Sequence, residues 1–163
     1  MPSFKSKLFN FIMRNRNLLQ LKLKNEAFDM NTSIQGFRDL CEKSAARMSK
    51  IPEGIEIEQT NVAGINGEWI KPIGANEDKV ILYLHVFGYV SGSCNDHRGF
   101  VSKFAKFCGY NCLQIDYRLA PENPFPGALE DAIAAYKYLL SIGKKPDSIM
   151  LAGESAGGGL VLA

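Results

Sequence analysis

The sequence predicts an α/β fold in which helices cross over a parallel sheet. Two observations carry that prediction. Val80-Ile81-Leu82-Tyr83-Leu84, Cys112-Leu113-Gln114-Ile115 and Ile149-Met150-Leu151-Ala152 are short, largely apolar runs, as central strands covered on both faces must be. Helix-period patterns fill the intervals between them. The first carries Phe100, Phe104, Phe107 and Cys108; the second carries Leu129, Ala132, Ile133, Tyr136, Leu139 and Leu140 and opens after the breaker-rich Pro121-Glu122-Asn123-Pro124-Phe125-Pro126.

Two helices and a hairpin precede this alternation. Phe4, Leu8, Phe11, Ile12, Leu18 and Leu19 recur at helical spacing, with Lys5, Lys7, Arg14, Arg16, Lys22 and Lys24 all coming before the first acidic residue, Glu26. This is a basic amphipathic helix, which either packs on the rest of the fold or makes weak contact with an anionic membrane surface. A second helical pattern runs through Ile34, Phe37, Cys41, Ala45 and Met48. From Ile51 the period changes: Ile55, Ile57 and Gln59 alternate with Glu56, Glu58 and Thr60, and Asn66-Gly67 is expected to turn the chain into Glu68-Trp69-Ile70-Lys71 as an antiparallel hairpin. The organisation expected is a helical segment over residues 1–50 and an α/β domain over 51–163.

Composition narrows the class. With 163 residues, 46% hydrophobic and 22% charged, the chain fits one globular domain and is not disordered. A net charge of +2 is too small and dispersed to argue for nucleic acid. The four cysteines, Cys41, Cys94, Cys108 and Cys112, form no CxxC pair, and the two histidines, His85 and His97, have no metal-ligand spacing. Reduced core thiols, no metal, no cofactor and a cytoplasmic address are expected, since charges break every candidate signal or spanning segment.

The chemistry is concentrated in Gly153-Glu154-Ser155-Ala156-Gly157. A serine between small residues, following an apolar strand bounded by Pro146-Asp147 and opening a possible helix at Gly158, fits a strained strand-to-helix turn that lifts the hydroxyl clear of the backbone. Ser155 is the candidate nucleophile. Gly153 and Gly157 permit the close backbone approach, and the N–H of Ala156 faces the place where an oxyanion would form. The competing interpretation is an ordinary glycine-rich turn with a capping serine. Phosphate binding is disfavoured, because Gly153 to Gly159 lacks the Lys-Ser/Thr ending of a phosphate loop and Glu154 would repel the ligand.

Three segments together resemble the hormone-sensitive-lipase branch of the α/β-hydrolase superfamily. They are Leu84-His85-Val86-Phe87-Gly88-Tyr89-Val90-Ser91-Gly92-Ser93, Asp116-Tyr117-Arg118-Leu119-Ala120-Pro121-Glu122 with Phe125-Pro126, and Gly153-Glu154-Ser155-Ala156-Gly157-Gly158. The resemblance implies an α/β-hydrolase fold, truncated after the nucleophile elbow, with the N-terminal helices as part of a cap. It also implies an oxyanion hole of backbone N–H groups from Phe87, Gly88 and Ala156. Val86 and Phe87 depart from the family's glycine-rich loop, and such side chains resist the backbone angles glycine allows. His85 matches the loop's leading histidine, which positions the loop and is not the general base. Asp116, Arg118 and Glu122 are expected to brace the site, and His97 to be a surface or capping residue at a helix start capped by Asn95 or Asp96.

In that family the triad follows the order serine, acid, histidine, and neither later member falls within this chain. The expected function is therefore a serine carboxylic-ester hydrolase acting on small acyl esters, nearly inactive as the isolated chain. The alternative is a catalytically dead binding or interaction module. With later strands absent, the strand leading to Gly153 would expose an apolar sheet edge and invite self-association.

Overall fold

The computed structural model describes residues 3–15, 33–48 and 50–163. The elements run α1 (Phe4–Arg14), α2 (Ile34–Met48), β1 (Ile55–Val62), β2 (Ile65–Pro72), β3 (Asn76–Leu84), α3 (Cys94–Cys108), β4 (Tyr110–Ile115), α4 (Gly127–Ser141), β5 (Ile149–Gly153) and α5 (Ala156–Leu162), with a 3-10 turn at Pro146–Ser148. Residues 33–163 form one compact unit, and α1 belongs to another. Helix α1 is capped by the Ser3 hydroxyl, which accepts from Ser6 N at 3.2 Å, and carries Arg14 in its last turn. Leu18, Leu19, Arg16, Lys22 and Lys24, expected to extend that helix, lie outside the described residues.

The sheet has the order β1-β2-β4-β3-β5. Strands β4, β3 and β5 are parallel, and β2 joins β4 antiparallel so that the hairpin extends the sheet on one side. The parallel core is as expected, because each crossover carries a helix. Side-chain alternation along β3 divides the interior in two. Val80, Leu82 and Leu84 pack with Leu113, Ile115 and the α4 residues Ala132, Ala135 and Leu139. Ile81 and Tyr83 pack with Ile70, Cys112 and the α3 residues Val101 and Ala105. Helices α3 and α4 thus cover opposite faces. The chain leaves β3 toward β4, then crosses back over β3 to β5, so the direction of winding reverses at β3; ligands in open α/β sheets bind beyond the carboxyl ends of strands at such a point.

The hairpin turn differs from expectation. The chain reverses at Ala63-Gly64, both at positive φ (53° and 90°), while the Asn61 side chain accepts from Gly64 N at 2.8 Å. Asn66 and Gly67 lie inside β2, paired with Asn61 and Thr60. Gly67 answers a packing demand: a Cβ there would come within 2.7 Å of Gln114 O on β4.

Beneath α3, Glu68 of β2 is fully buried and carries a polar network. Its carboxylate accepts from Arg98 Nε and Nη2 at 2.8–3.0 Å, from Gln59 at 2.8 Å and from Gln114 at 2.6 Å. Burying a carboxylate without partners is costly, and these donors offset that cost.

Candidate active site

Strand β5 delivers the chain to Ser155, whose backbone stands at φ 48° and ψ −113°, and α5 begins at the next residue. A non-glycine residue at positive φ on a strand-to-helix turn is strained, and such strain persists only where the surroundings over-determine it. The glycines supply that constraint. A Cβ on Gly157 would fall 2.0 Å from Leu84 O and 2.6 Å from His85 O, and one on Gly153 would fall 2.5 Å from the Gly157 carbonyl carbon. The first turn of α5 is therefore pressed onto the end of β3. Ser155 is exposed and its hydroxyl makes no capping bond.

The loop leaving β3 lies beside this turn. Phe87, Gly88 and Tyr89 all have positive φ (83°, 66° and 63°), and the N–H groups of Val90 and Ser91 both donate to Phe87 O at 3.2 Å. The N–H groups of Phe87 and Gly88 meet no acceptor among the described residues. The Tyr89 hydroxyl reaches α5, since a Cβ on Gly159 would lie 2.5 Å from it. Loop and elbow, the two segments on which the sequence concentrated, are thus brought together at the carboxyl ends of β3 and β5.

His85 is held by shape. Its ring stacks on Tyr117 at 3.9 Å and 9°, its Nδ1 lies 3.2 Å from Val86 O, and Gly92 packs so closely that a Cβ would sit 2.3 Å from Nδ1. The Tyr117 hydroxyl donates to His85 O at 2.8 Å. Burial pushes the imidazole down to about 4, which keeps it neutral at physiological pH.

His97 corrects the sequence expectation. It is buried, not on the surface, stacking on His85 at 5.7 Å and packing against Phe87 at 5.3 Å. The cap of α3 is Ser93, whose hydroxyl accepts from Asp96 N at 3.1 Å. Asn95 and Asp96 already belong to the helix, so His97 falls one turn in and on its inner face.

The three expected braces each hold a different segment. Asp116 accepts from Cys94 N at 2.6 Å, tying β4 to the start of α3. Arg118 grips Asp131 and Glu130 of α4 at 2.8–3.0 Å. Glu122 receives both terminal nitrogens of Arg38 from α2, at 2.9 and 2.8 Å. Sequence reasoning missed Arg38, because it reads this helix from the apolar positions Ile34, Phe37, Cys41, Ala45 and Met48 alone.

A family model described as alpha/beta hydrolase fold matches residues 81–163, which span β3 to α5 and both site segments. The chain belongs to the alpha/beta hydrolase fold family. Within it, this alpha/beta hydrolase chain is 42% identical over 102 residues to an acetyl-hydrolase of Streptomyces hygroscopicus, covering 63% of the chain and 34% of that protein. The crystal structure of an esterase from the bacterial hormone-sensitive lipase family matches 99% of the chain and 51% of its own, with TM-score 0.77 and 39% identity. A crystal structure of EstE5 soaked by p-nitrophenyl butyrate matches 93% of the chain and 50% of its own, with TM-score 0.77 and 42% identity. These likenesses place the chain in the hormone-sensitive-lipase branch. It spans about a third of the length of the curated relatives and about half of the solved structures.

Proposed function

We propose that this chain carries the nucleophile and oxyanion loop of a carboxylic-ester hydrolase. The observation that carries the reading is Ser155 itself, exposed at φ 48° on a turn pinned against the carbonyls of Leu84 and His85. Its Oγ would attack the acyl carbonyl of a small ester. The developing oxyanion would take N–H donors from Phe87, Gly88 and Ala156, the alcohol would leave carrying the proton the serine gave up to the base, and water would hydrolyse the acyl-serine ester, releasing the acid and restoring the serine hydroxyl. Support comes from the family relatives named as esterases and acetyl-hydrolases and from the ester soaked into EstE5.

The general base is neither histidine of the chain. His85 is stacked on Tyr117 and His97 is packed between His85 and Phe87, with its Nδ1 at 3.2 Å from Ser93 O. In the reading proposed here, an imidazole and its orienting acid come from outside residues 1–163, and without them turnover falls by about 10⁶. The reduced thiols Cys41, Cys94, Cys108 and Cys112 fit a cytoplasmic setting.

A second reading, a binding module without turnover, is favoured by Phe87, a bulky residue at φ 83° where glycine would be relaxed. Stoichiometric labelling with a fluorophosphonate, with imidazole added to the solution as the base, separates the two, because one attack needs no turnover. The hydrolase reading expects peptide mapping to find the adduct on Ser155 and to lose it in Ser155→Ala. A folded chain that stays unlabelled, or is labelled elsewhere, supports the module.

A further inference from the structure

We propose that helix α2 is a clasp for the loop that follows β3, with Arg38 as the positioning residue that sets the Phe87 and Gly88 N–H groups. The inference rests on the reading of those groups as oxyanion donors.

The loop needs an external hold. It carries three consecutive residues at positive φ, two of them not glycine, and its own hydrogen bonds are the two long ones to Phe87 O. Strain of this kind costs on the order of 1–3 kcal/mol per residue and is kept only where neighbours enforce it.

Helix α2 meets the loop at three points. At its start Phe37 stands edge-on to Phe87, with centroids 6.1 Å apart and planes at 88°. At the next residue, Arg38 Nε donates to Val90 O at 2.7 Å. One turn later, Glu42 accepts from Ser93 Oγ at 2.8 Å and from Asn95 Nδ2 at 2.7 Å. Residues 38 and 42 share a helix face, so one rigid element spans the loop from Phe87 to Ser93.

The remaining donors of Arg38 close the arrangement. Its Nη2 donates to Ala120 O at 3.1 Å, while Ala120 N donates to Tyr89 O at 2.8 Å. Tyr89 and Val90 are therefore both tied to the segment at Ala120, with the guanidinium between them. Glu122 orients that guanidinium, but at 55% exposure of its side chain the ion pair contributes little stability by itself. What the planar fork provides is direction: one group reaches Val90 O, Ala120 O and a carboxylate together, which a lysine ammonium on a flexible stem does not reproduce.

The test compares Arg38→Met, Arg38→Lys and Glu122→Gln in the 163-residue chain, reading amide exchange over residues 86–91 and the rate of Ser155 phosphonylation. Arg38→Met should speed exchange of the loop amides and slow phosphonylation, each about tenfold, with the Leu82 and Leu113 amides unchanged. Arg38→Lys should behave like Arg38→Met, and Glu122→Gln should stay within about threefold of wild type because the contacts to Val90 O and Ala120 O survive. Unchanged loop exchange in Arg38→Met overturns the clasp, as does equal disturbance by Glu122→Gln. Should Arg38→Met expose the strand amides, Arg38→Lys decides by the same criteria. A wild-type chain that resists phosphonylation counts against Ser155 as nucleophile, while loop exchange still decides the clasp.

Discussion

Leu84 O sits 2.0 Å from the position a Cβ on Gly157 would take. A methyl group there has no flexible neighbour to displace, because Leu84 lies in the centre of the sheet between β4 and β5. Gly157→Ala should therefore destabilise the chain by about 3 kcal/mol, as overpacking against fixed atoms does. Chemical denaturation measures this, and a change near zero would show that α5 does not press on β3.

The Glu68–Arg98 pair gives a second test. Arg98→Met removes the only cation bonded to a carboxylate that has no exposure among the described residues, leaving a buried charge with two amide donors. The expected loss is about 3–5 kcal/mol. Glu68→Gln with Arg98→Met together should recover part of it, since the charge is gone. No recovery would mean that packing, and not charge, dominates this network.

Asp96 gives the chain an acid-favouring component. Burial first, then the hydrogen bond and charge of Glu42 and the charge of Asp116, push its carboxyl up to about 7 from 3.8. Between those values the folded chain holds a proton that the unfolded chain has released, so this group's contribution falls as pH rises and is lost through about 7. His85 has the opposite sign: burial lowers it from 6.5 to about 4, so its contribution is present above 6.5 and lost as pH falls toward 4. Asp96→Asn keeps a donor toward Glu42 without the charge. Its melting temperature should exceed wild type by several degrees at pH 8 and match it at pH 4. Equal shifts at both pH values would contradict this assignment.

Among the described residues strand β5 pairs with β3 alone and so forms one edge of the sheet. Met150 and Leu151 are 42% and 40% exposed there, beside a groove lined by Tyr83, Phe100, Phe104, Val161 and Leu162. An apolar strand edge recruits other strands. Sedimentation should find concentration-dependent association that Leu151→Lys reduces. A wild-type chain that stays monomeric throughout would refute it.

The alternation of apolar runs and helical periods made the α/β class legible, because strands covered on both faces and their crossover helices leave opposite periodicities. The strand-to-helix turn at Ser155 was legible for a local reason, as such a turn needs small residues at fixed offsets. What escaped the sequence was long-range. Gly67 looks like a hairpin glycine, and only the neighbouring β4 strand shows that it makes room for Gln114 O. His97 looks like a capping residue until Ser93 takes the cap and turns the imidazole toward His85. Arg38 and Glu42 look like the solvated face of α2, and their partners at Val90, Glu122 and Ser93 lie far along the chain.

The central claim is that Ser155 forms an acyl-enzyme. Trapping it is the most direct test: incubate the chain with p-nitrophenyl butyrate, quench in acid and map the peptides by mass. In this account neither His85 nor His97 assists, so acylation and deacylation are both slow; over a prolonged incubation the ester should still build up on Ser155 above the level on lysines, and vanish in Ser155→Ala. A folded chain carrying no butyryl group, or carrying it only on lysines, would contradict the account.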